Sequence, residues 1–296
     1  MNPKPGRLKV GVIGPGKVGV ILALALRNVQ HEVIGVTAST RVENQDRIEA
    51  LLPGVPVLEA PELCAQADLV LVTVPDDEIR PVVAGLAKLN AWRPGQIVVH
   101  CSGAHGLAVL VDAAACGALT LALHPAMTFT GYSLDLQRLE NCPAAVTANA
   151  IAQPIGQALL IEIGCQPQIV ADENRKLYHA ALAHGANHLN TLVAQSLELL
   201  REAGVADPAL YLRPLLEAAL DRALSEGING LTGPVVRADT GTLTAHLEVL
   251  GTPSGEKIKT TYQELARATA ELAHDHGRLT DTQYRAVHTA LGAESL

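Results

Sequence analysis

The chain has 296 residues and a formal net charge of −8, so it lacks the basic footprint that nucleic acid or an anionic membrane surface would require. Hydrophobic residues make up 48% but aromatics only 2%, and the core must therefore be built from Ala, Leu, Val and Ile, which suits helices on a parallel sheet better than a β-sandwich. Scattered cysteines (Cys64, Cys101, Cys116, Cys142, Cys165) form no C-x-x-C pair, which points to reduced thiols in a cytoplasmic protein and against both a disulfide framework and a zinc site.

The start, MNPKPGRLKV, carries no apolar signal segment and runs into LKVGVIG (8–14), a short β-branched stretch that predicts a buried strand. Residues 16–28 place Val18, Ile21, Leu22, Ala25 and Leu26 at helical spacing. EVIGVT (32–37), DLVLVTV (68–74), QIVVHC (96–101) and ALTLALH (118–124) predict further strands, and AAVTA (144–148) a sixth. Helical stretches lie between them, so the first part predicts βαβ units, a doubly wound parallel sheet of α/β class. After residue 166 strand signals fade, and the expected division is 1–166 and 167–296, the second part all-α. One long helix there should end at Gly204. Its uncharged stretch Leu177–Leu197 is too rich in His, Asn and Gln to span a membrane and should be buried in the protein or in a subunit interface. Asp207 and Pro208 should cap and open the next helix, which Pro214 should kink or interrupt. NGLTGPVVRADTGT reads as a loop, followed by helices over 253–275 and 279–292.

Gly14-Pro15-Gly16-Lys17-Val18-Gly19 matches G-x-G-x-x-G between the first strand and the first helix, the context in which the pattern binds a dinucleotide. Gly14 allows the turn, Gly16 lets the diphosphate approach the backbone, and Gly19 lets helix and sheet pack closely. The free N–H groups at the helix start, with Lys17 and Val18 among the residues expected at the cofactor, face the phosphates at the positive end of the helix. At the tip of the second strand the chain has Thr37, Ala38, Ser39, Thr40 and Arg41, with no acid before Glu43. Hydroxyls and a guanidinium suit a 2′-phosphate, so the expected cofactor is NADP(H) in preference to NAD(H).

Ligands of open parallel sheets bind at the carboxyl ends of the strands. Three strands end in polar groups that should line one crevice: Val74-Pro75-Asp76, His100-Cys101-Ser102-Gly103 and His124-Pro125. Val74, Pro75 and Ser102 are expected at the cofactor and His124 at the reacting centre. The alternatives are structural: Asp76 and Ser102 as helix caps, His124 as a hydrogen-bonded core residue. On the long helix His184, Asn187 and His188 share one face, and His184 and Asn187 join His124 as catalytic candidates. His188 and Arg237 are candidates for holding an anionic substrate, with an Arg237–Asp239 surface pair and Asp239 as a helix cap as the alternative. The H-x-x-x-H spacing lacks the glutamate of a zinc protease, and no metal is expected.

The phosphate loop, VTVPDDEI, HCSGA, LHPAMTF, NHLNTL and LTGPVVRAD, in that order over about residues 8–250, resemble Rossmann-like proteins with a C-terminal domain of unknown function 2520. That family is similar in fold to 6-phosphogluconate, 3-hydroxyisobutyrate and prephenate dehydrogenases and to pyrroline-5-carboxylate reductases. The resemblance implies an NADP-linked reductase with a helical domain that builds a homodimer. Related bacterial proteins suggest a 2-oxo acid such as ketopantoate as substrate. Asn187 matches the Asn of the Lys-x-x-Asn helix motif of the hydroxyacid dehydrogenases, but His184 stands at the lysine position, so their mechanism does not carry over intact. His124-Pro125 resembles the His-Pro of prephenate dehydrogenases. The expected activity is hydride transfer between NADPH and a small carbonyl or imine. The competing readings are an NADP(H)-binding redox sensor or assembly protein without catalysis, and a structural dimer with a relic loop.

Overall fold

The computed structural model describes residues 6–251 and 255–292, and the chain divides into two compact units, Met1–Ala186 and Asn187–Leu296. The first contains β1 (Lys9–Ile13), α1 (Lys17–Asn28), β2 (Glu32–Val36), α2 (Val42–Leu51), α3 (Ala60–Gln66), β3 (Leu69–Val72), α4 (Asp76–Lys88) and β4 (Ile97–His100). It continues through α5 (Val111–Ala115), β5 (Leu119–Pro125), α6 (Leu134–Leu139), β6 (Pro143–Ala148), α7 (Gln153–Glu162), β7 (Gln166–Ile169) and the start of α8 (Arg175–Glu202). The boundary expected at 166/167 falls within β7, whereas the compact units divide later, inside α8.

The strands form one sheet in the order β2-β1-β3-β4-β5-β6-β7. Every residue of β3 and β4 is buried, as expected of strands covered on both faces. Period-two alternation sends Val10, Val12, Leu69, Leu71, Val99, Leu121 and Leu123 into the core under α1 and α7, and Ile13, Val70, Val72 and Val98 into the core under α3 and α4. The chain moves from β1 outward to β2 and then returns past β1 to β3, so the switch point lies between the ends of β1 and β3. β6 corrects the all-parallel expectation, because it runs antiparallel to β5. The connection from β5 holds only the six-residue α6, less than the helical crossover that a parallel return normally uses. The missed β7, QPQI, is a polar edge strand whose proline is tolerated there.

The second unit holds the rest of α8, then α9 (Pro208–Glu226), α10 (Thr240–Val249), α11 (Glu256–Asp275) and α12 (Asp281–Ala290). Asp207 caps α9 by accepting from Leu210 N at 3.0 Å, with Pro208 as its first residue. Pro214 does not interrupt α9. It lies on the exposed side, where water can satisfy the carbonyl it frees. α10 lies outside the helices expected over 253–275 and 279–292, but it bears out Asp239 as a helix cap: Asp239 accepts from Thr242 N at 3.1 Å and Thr242 Oγ1 at 2.8 Å. Leu243, Ala266, Ala270, Ala273, Val287 and Leu291 pack α10, α11 and α12 together. The long helix is not buried within the chain: Arg175 is the buried residue of α8, and the turns over 184–192 are exposed. Among the described residues no helix is long and apolar enough to cross a membrane.

Candidate active site

The turn from β1 into α1 has the shape its glycines predict. Gly14 has φ +80°, and a Cβ there would stand 2.6 Å from Val74 Cγ1. A Cβ on Gly19 would stand 2.2 Å from Thr73 Oγ1 and 2.9 Å from Val12 Cγ1, so helix and sheet touch where only glycine fits. Thr73 Oγ1 donates to Gly14 O at 2.8 Å, and Gly14 N donates to Thr37 Oγ1 at 3.1 Å, which ties the turn to β3 and to the tip of β2. Gly16 is different: the nearest atom to a Cβ there is Gly14 O at 4.0 Å. α1 has no side-chain cap, and its ladder begins with Val20 N donating to Gly16 O. The N–H groups of Lys17, Val18 and Gly19 therefore lack acceptors in the helix. An open approach at Gly16, uncapped N–H groups and the positive helix end together fit a dinucleotide diphosphate.

At the tip of β2, Ser39 organises the next helix. Its Oγ accepts from Arg41 N at 3.3 Å and Asn44 Nδ2 at 3.1 Å. Thr40 and Arg41 are exposed. Arg47, which sequence reasoning passed over, is committed elsewhere: its Nε donates to Gly131 O at 3.0 Å and its Nη1 to Asn44 Oδ1 at 2.6 Å. Arg41 is the exposed guanidinium at this tip.

The ends of β3, β4 and β5 gather a polar cluster. Asp76 does not act as a helix cap, since the α4 N-terminus has no side-chain cap and Asp76 Oδ2 accepts from Ser102 Oγ at 2.7 Å. Ser102 Oγ in turn accepts from Ala104 N and His105 N, so Ser102 does hold the following turn. His100 is fully buried; its Nδ1 accepts from Ser102 N at 3.2 Å and its Nε2 lies 3.0 Å from Gly106 O. That pattern fixes the neutral Nε2–H tautomer, and burial, with a contribution from the Arg175 charge, lowers the pKa to about 4. His124 Nδ1 lies 2.8 Å from the Tyr178 hydroxyl. Burial first, then the charges of Arg175 and His179, lower its pKa to about 4 against the opposing pull of Asp76.

Arg175 lies at the centre of this cluster and is 1% exposed. Its Nε donates to His105 O at 3.1 Å, its Nη2 donates to Ser102 O, and its guanidinium lies 5.6 Å from the Tyr178 ring centroid. Its Nη1 is buried without a hydrogen-bond partner. Arg175, Tyr178 and His179 escape sequence reasoning. Their available signal is an Arg-x-x-Tyr-His run opening a helix, indistinguishable by eye from a solvated first turn.

The first unit therefore brings together Gly14–Gly19, Ser39, Val74, Pro75, Ser102 and His124 along the carboxyl ends of its strands. His184, Asn187 and His188 occupy the exposed turns of α8 where the division between units passes. Arg237 is exposed in the second unit, in the turn before α10, while Asp239 commits both oxygens to Thr242. Among the described residues no group of three or more His, Cys, Asp or Glu could hold a metal ion.

Comparison with known proteins bears on both units. A crystal structure of a Bacteroides fragilis protein described as an NADP oxidoreductase superposes with a TM-score of 0.75 at 21% identity, covering 90% of this chain and 98% of that one. A Thermotoga maritima protein superposes at 0.65 and 21% identity, over 90% and 99% of the two chains. At these identities the likeness is one of fold. The glycerol-3-phosphate dehydrogenase [NAD(P)+] of Paramagnetospirillum magneticum is 30% identical over 169 residues, 53% of this chain, and the chain spans 60% of the length of that curated relative. Family models match a Rossmann-like domain over residues 2–125 and the domain of unknown function DUF2520 over residues 142–269. The chain thus carries an N-terminal Rossmann-like domain followed by a largely helical DUF2520 domain.

Proposed function

We propose that the protein is an NADP(H)-dependent oxidoreductase acting on a small carbonyl or imine compound. The observation that carries this reading is the turn at Gly14–Gly19, open at Gly16 and closed by contact at Gly14 and Gly19. A bound nicotinamide would supply or accept the hydride. The protein's own part is to hold the diphosphate on the N–H groups of Lys17, Val18 and Gly19 and the ribose end at Ser39, Thr40 and Arg41. Val74, Pro75 and Ser102 line the crevice toward His124, which meets the substrate. From α8 and the helical domain we keep His184 as a second proton-handling candidate, Asn187 as a group orienting the substrate oxygen, and His188 and Arg237 as groups that hold an anionic substituent. NADPH consumption against a panel of 2-oxo acids, ketopantoate among them, other ketones and cyclic imines tests the activity; tight NADPH binding without turnover of any panel member would favour a non-catalytic sensor instead.

Cofactor choice has its own test. Arg41→Ala should weaken NADPH binding at least tenfold and leave NADH binding within about twofold, because only the former carries the 2′-phosphate that a guanidinium binds. Calorimetric titration with both nucleotides measures this, and equal losses would remove Arg41 from the ribose site.

A homodimer through the helical domain is also proposed. On α9, Tyr211 and Leu215 are 72% and 67% exposed on one side, and Leu220 and Leu224 are 51% and 80% exposed on another. Exposed apolar stripes on two sides of one helix need cover. Sedimentation should give a dimer at micromolar concentration and a shift toward monomer for Leu220→Glu/Leu224→Glu; a wild-type monomer would sink the proposal.

A further inference from the structure

His124 is half-buried at the carboxyl end of β5, two residues beyond the residue paired with His100. Its Nδ1 faces the Tyr178 hydroxyl at 2.8 Å. A phenol is a far stronger acid than an imidazole N–H, so the shared proton belongs to the hydroxyl, Tyr178 donates to Nδ1, and the ring carries its own proton on Nε2. Nε2 makes no hydrogen bond to a described residue. It abuts Gly103, where a Cβ would stand 2.9 Å from Nε2 and 2.6 Å from His179 Cδ2, so a side chain at 103 would obstruct it. The ionisable groups facing the ring are Arg175, Tyr178 and His179 from α8 and Asp76 from α4. Of these Arg175 is buried and, among the described residues, forms no ion pair; its positive charge acts on the ring against the opposite pull of Asp76.

We propose that the group reduced or formed at this site is a carbonyl, not a cationic C=N, and that the Nε2–H of His124, backed by Tyr178, is the donor that meets its oxygen. This rests on the oxidoreductase function proposed for the site and narrows its substrate class. A carbonyl oxygen offers lone pairs to an N–H donor; an iminium offers none and would be repelled by Arg175. As hydride from the reduced cofactor forms the new C–H bond, the C=O π pair moves onto oxygen, where the N–H and the buried guanidinium stabilise the developing negative charge. The oxygen takes the Nε2 proton as Nδ1 takes the Tyr178 hydroxyl proton; Nδ1 then returns that proton to the phenolate as water supplies one to Nε2, which restores the starting tautomer. The imidazole stays uncharged throughout and changes only its tautomer. His124 is the catalytic residue, Tyr178 is a positioning residue that acts through it, and Arg175 contributes its charge to the site.

The test has two arms. Nitrogen-15 NMR of histidine-labelled protein, with His124 assigned by comparison with His124→Gln, should show an uncharged Nε2–H ring from pH 8 to about 5 in the absence of nucleotide and substrate. Tyr178→Phe should remove the tautomer preference without charging the ring. A ring that becomes charged between pH 6 and 7, or that carries its proton on Nδ1, overturns the proposal. In the second arm, NADPH consumption should be at least 100-fold faster with a ketone than with the cyclic imine of matching size, and Tyr178→Phe should lower kcat at least 30-fold with KM within about threefold. Preference for the imine, or an unchanged kcat in Tyr178→Phe, overturns it. The NMR arm needs no cofactor, so a protein that binds no nucleotide fails the parent reading while the state of His124 is still decided.

Discussion

Gly16→Glu should abolish NADPH binding while leaving the apoprotein as stable as wild type, and Gly19→Val should damage the fold itself. The difference follows from what each new side chain would meet. At Gly16 a Cβ has no neighbour closer than 4.0 Å, and the backbone, at φ −83°, is one that any residue adopts. A glutamate there projects a carboxylate into the space left for the diphosphate, at the end of a helix whose partial positive charge welcomes it. The loop is thereby occupied by an anion of its own. Binding should weaken at least 100-fold, which is about 2.7 kcal/mol, with the apoprotein Tm within about two degrees of wild type. At Gly19 the added carbon overlaps Thr73 Oγ1 and Val12 Cγ1, and β1 and α1 must separate. Overpacking of this kind costs about 1–3 kcal/mol, and binding falls as a consequence of that shift. Calorimetry with NADPH and thermal melting of both apoproteins separate the two effects. Undiminished binding by Gly16→Glu would mean that no phosphate rests on this loop.

The same contrast explains why this part of the site is legible in the amino-acid sequence. Gly14, Gly16 and Gly19 act within six residues of one another, and their requirements are local: a positive φ, an open approach, a close contact. The strand ends are legible for a similar reason, since an apolar run stopping at His100 or His124 marks the carboxyl end of a strand, where open parallel sheets bind ligands. Arg175 and Tyr178 are not. Their partners, Ser102, His105 and His124, lie more than fifty residues earlier in the chain, and in sequence Arg175 sits among Asp172, Glu173, Asn174 and Lys176 like any solvated helix start. The antiparallel β6 is hidden because a strand's direction leaves no trace in its composition. α10 is half legible, because its start is fixed by one carboxylate, Asp239, which reads as a helix cap and equally well as the partner of Arg237.

Wild-type protein should lose about 3 kcal/mol of stability through His100 alone as the pH falls from 7 to 4. Burial, with the nearby Arg175 charge, brings the native pKa of this ring to about 4, from 6.5 in the unfolded chain. Between those values the unfolded chain binds a proton that the native protein refuses, so stability rises with pH across this window and is lost on acidification. A separation of 2.5 units at about 1.4 kcal/mol each gives about 3.5 kcal/mol in full, of which about 3 kcal/mol is lost by pH 4, where the native ring is itself half protonated. The geometry explains why the native ring refuses the proton: Nδ1 already accepts from Ser102 N, and protonating it would set two donors against each other beside a buried guanidinium. His124 adds a loss of the same sign over the same range. Asp135, Asp239 and Asp281, held below the usual carboxylate value, weaken the fold only below about pH 4 and do not obscure the histidine window. His100→Gln keeps a donor for Gly106 O but has no group to titrate. Its denaturant-derived stability should be lower at pH 7, by about 1–3 kcal/mol for the lost bond to Ser102 N, yet should decline less steeply toward pH 4. Parallel pH profiles for wild type and His100→Gln would show that His100 is free to take up a proton in the folded protein, and the closed Ser102–His100–Gly106 arrangement would then be wrong.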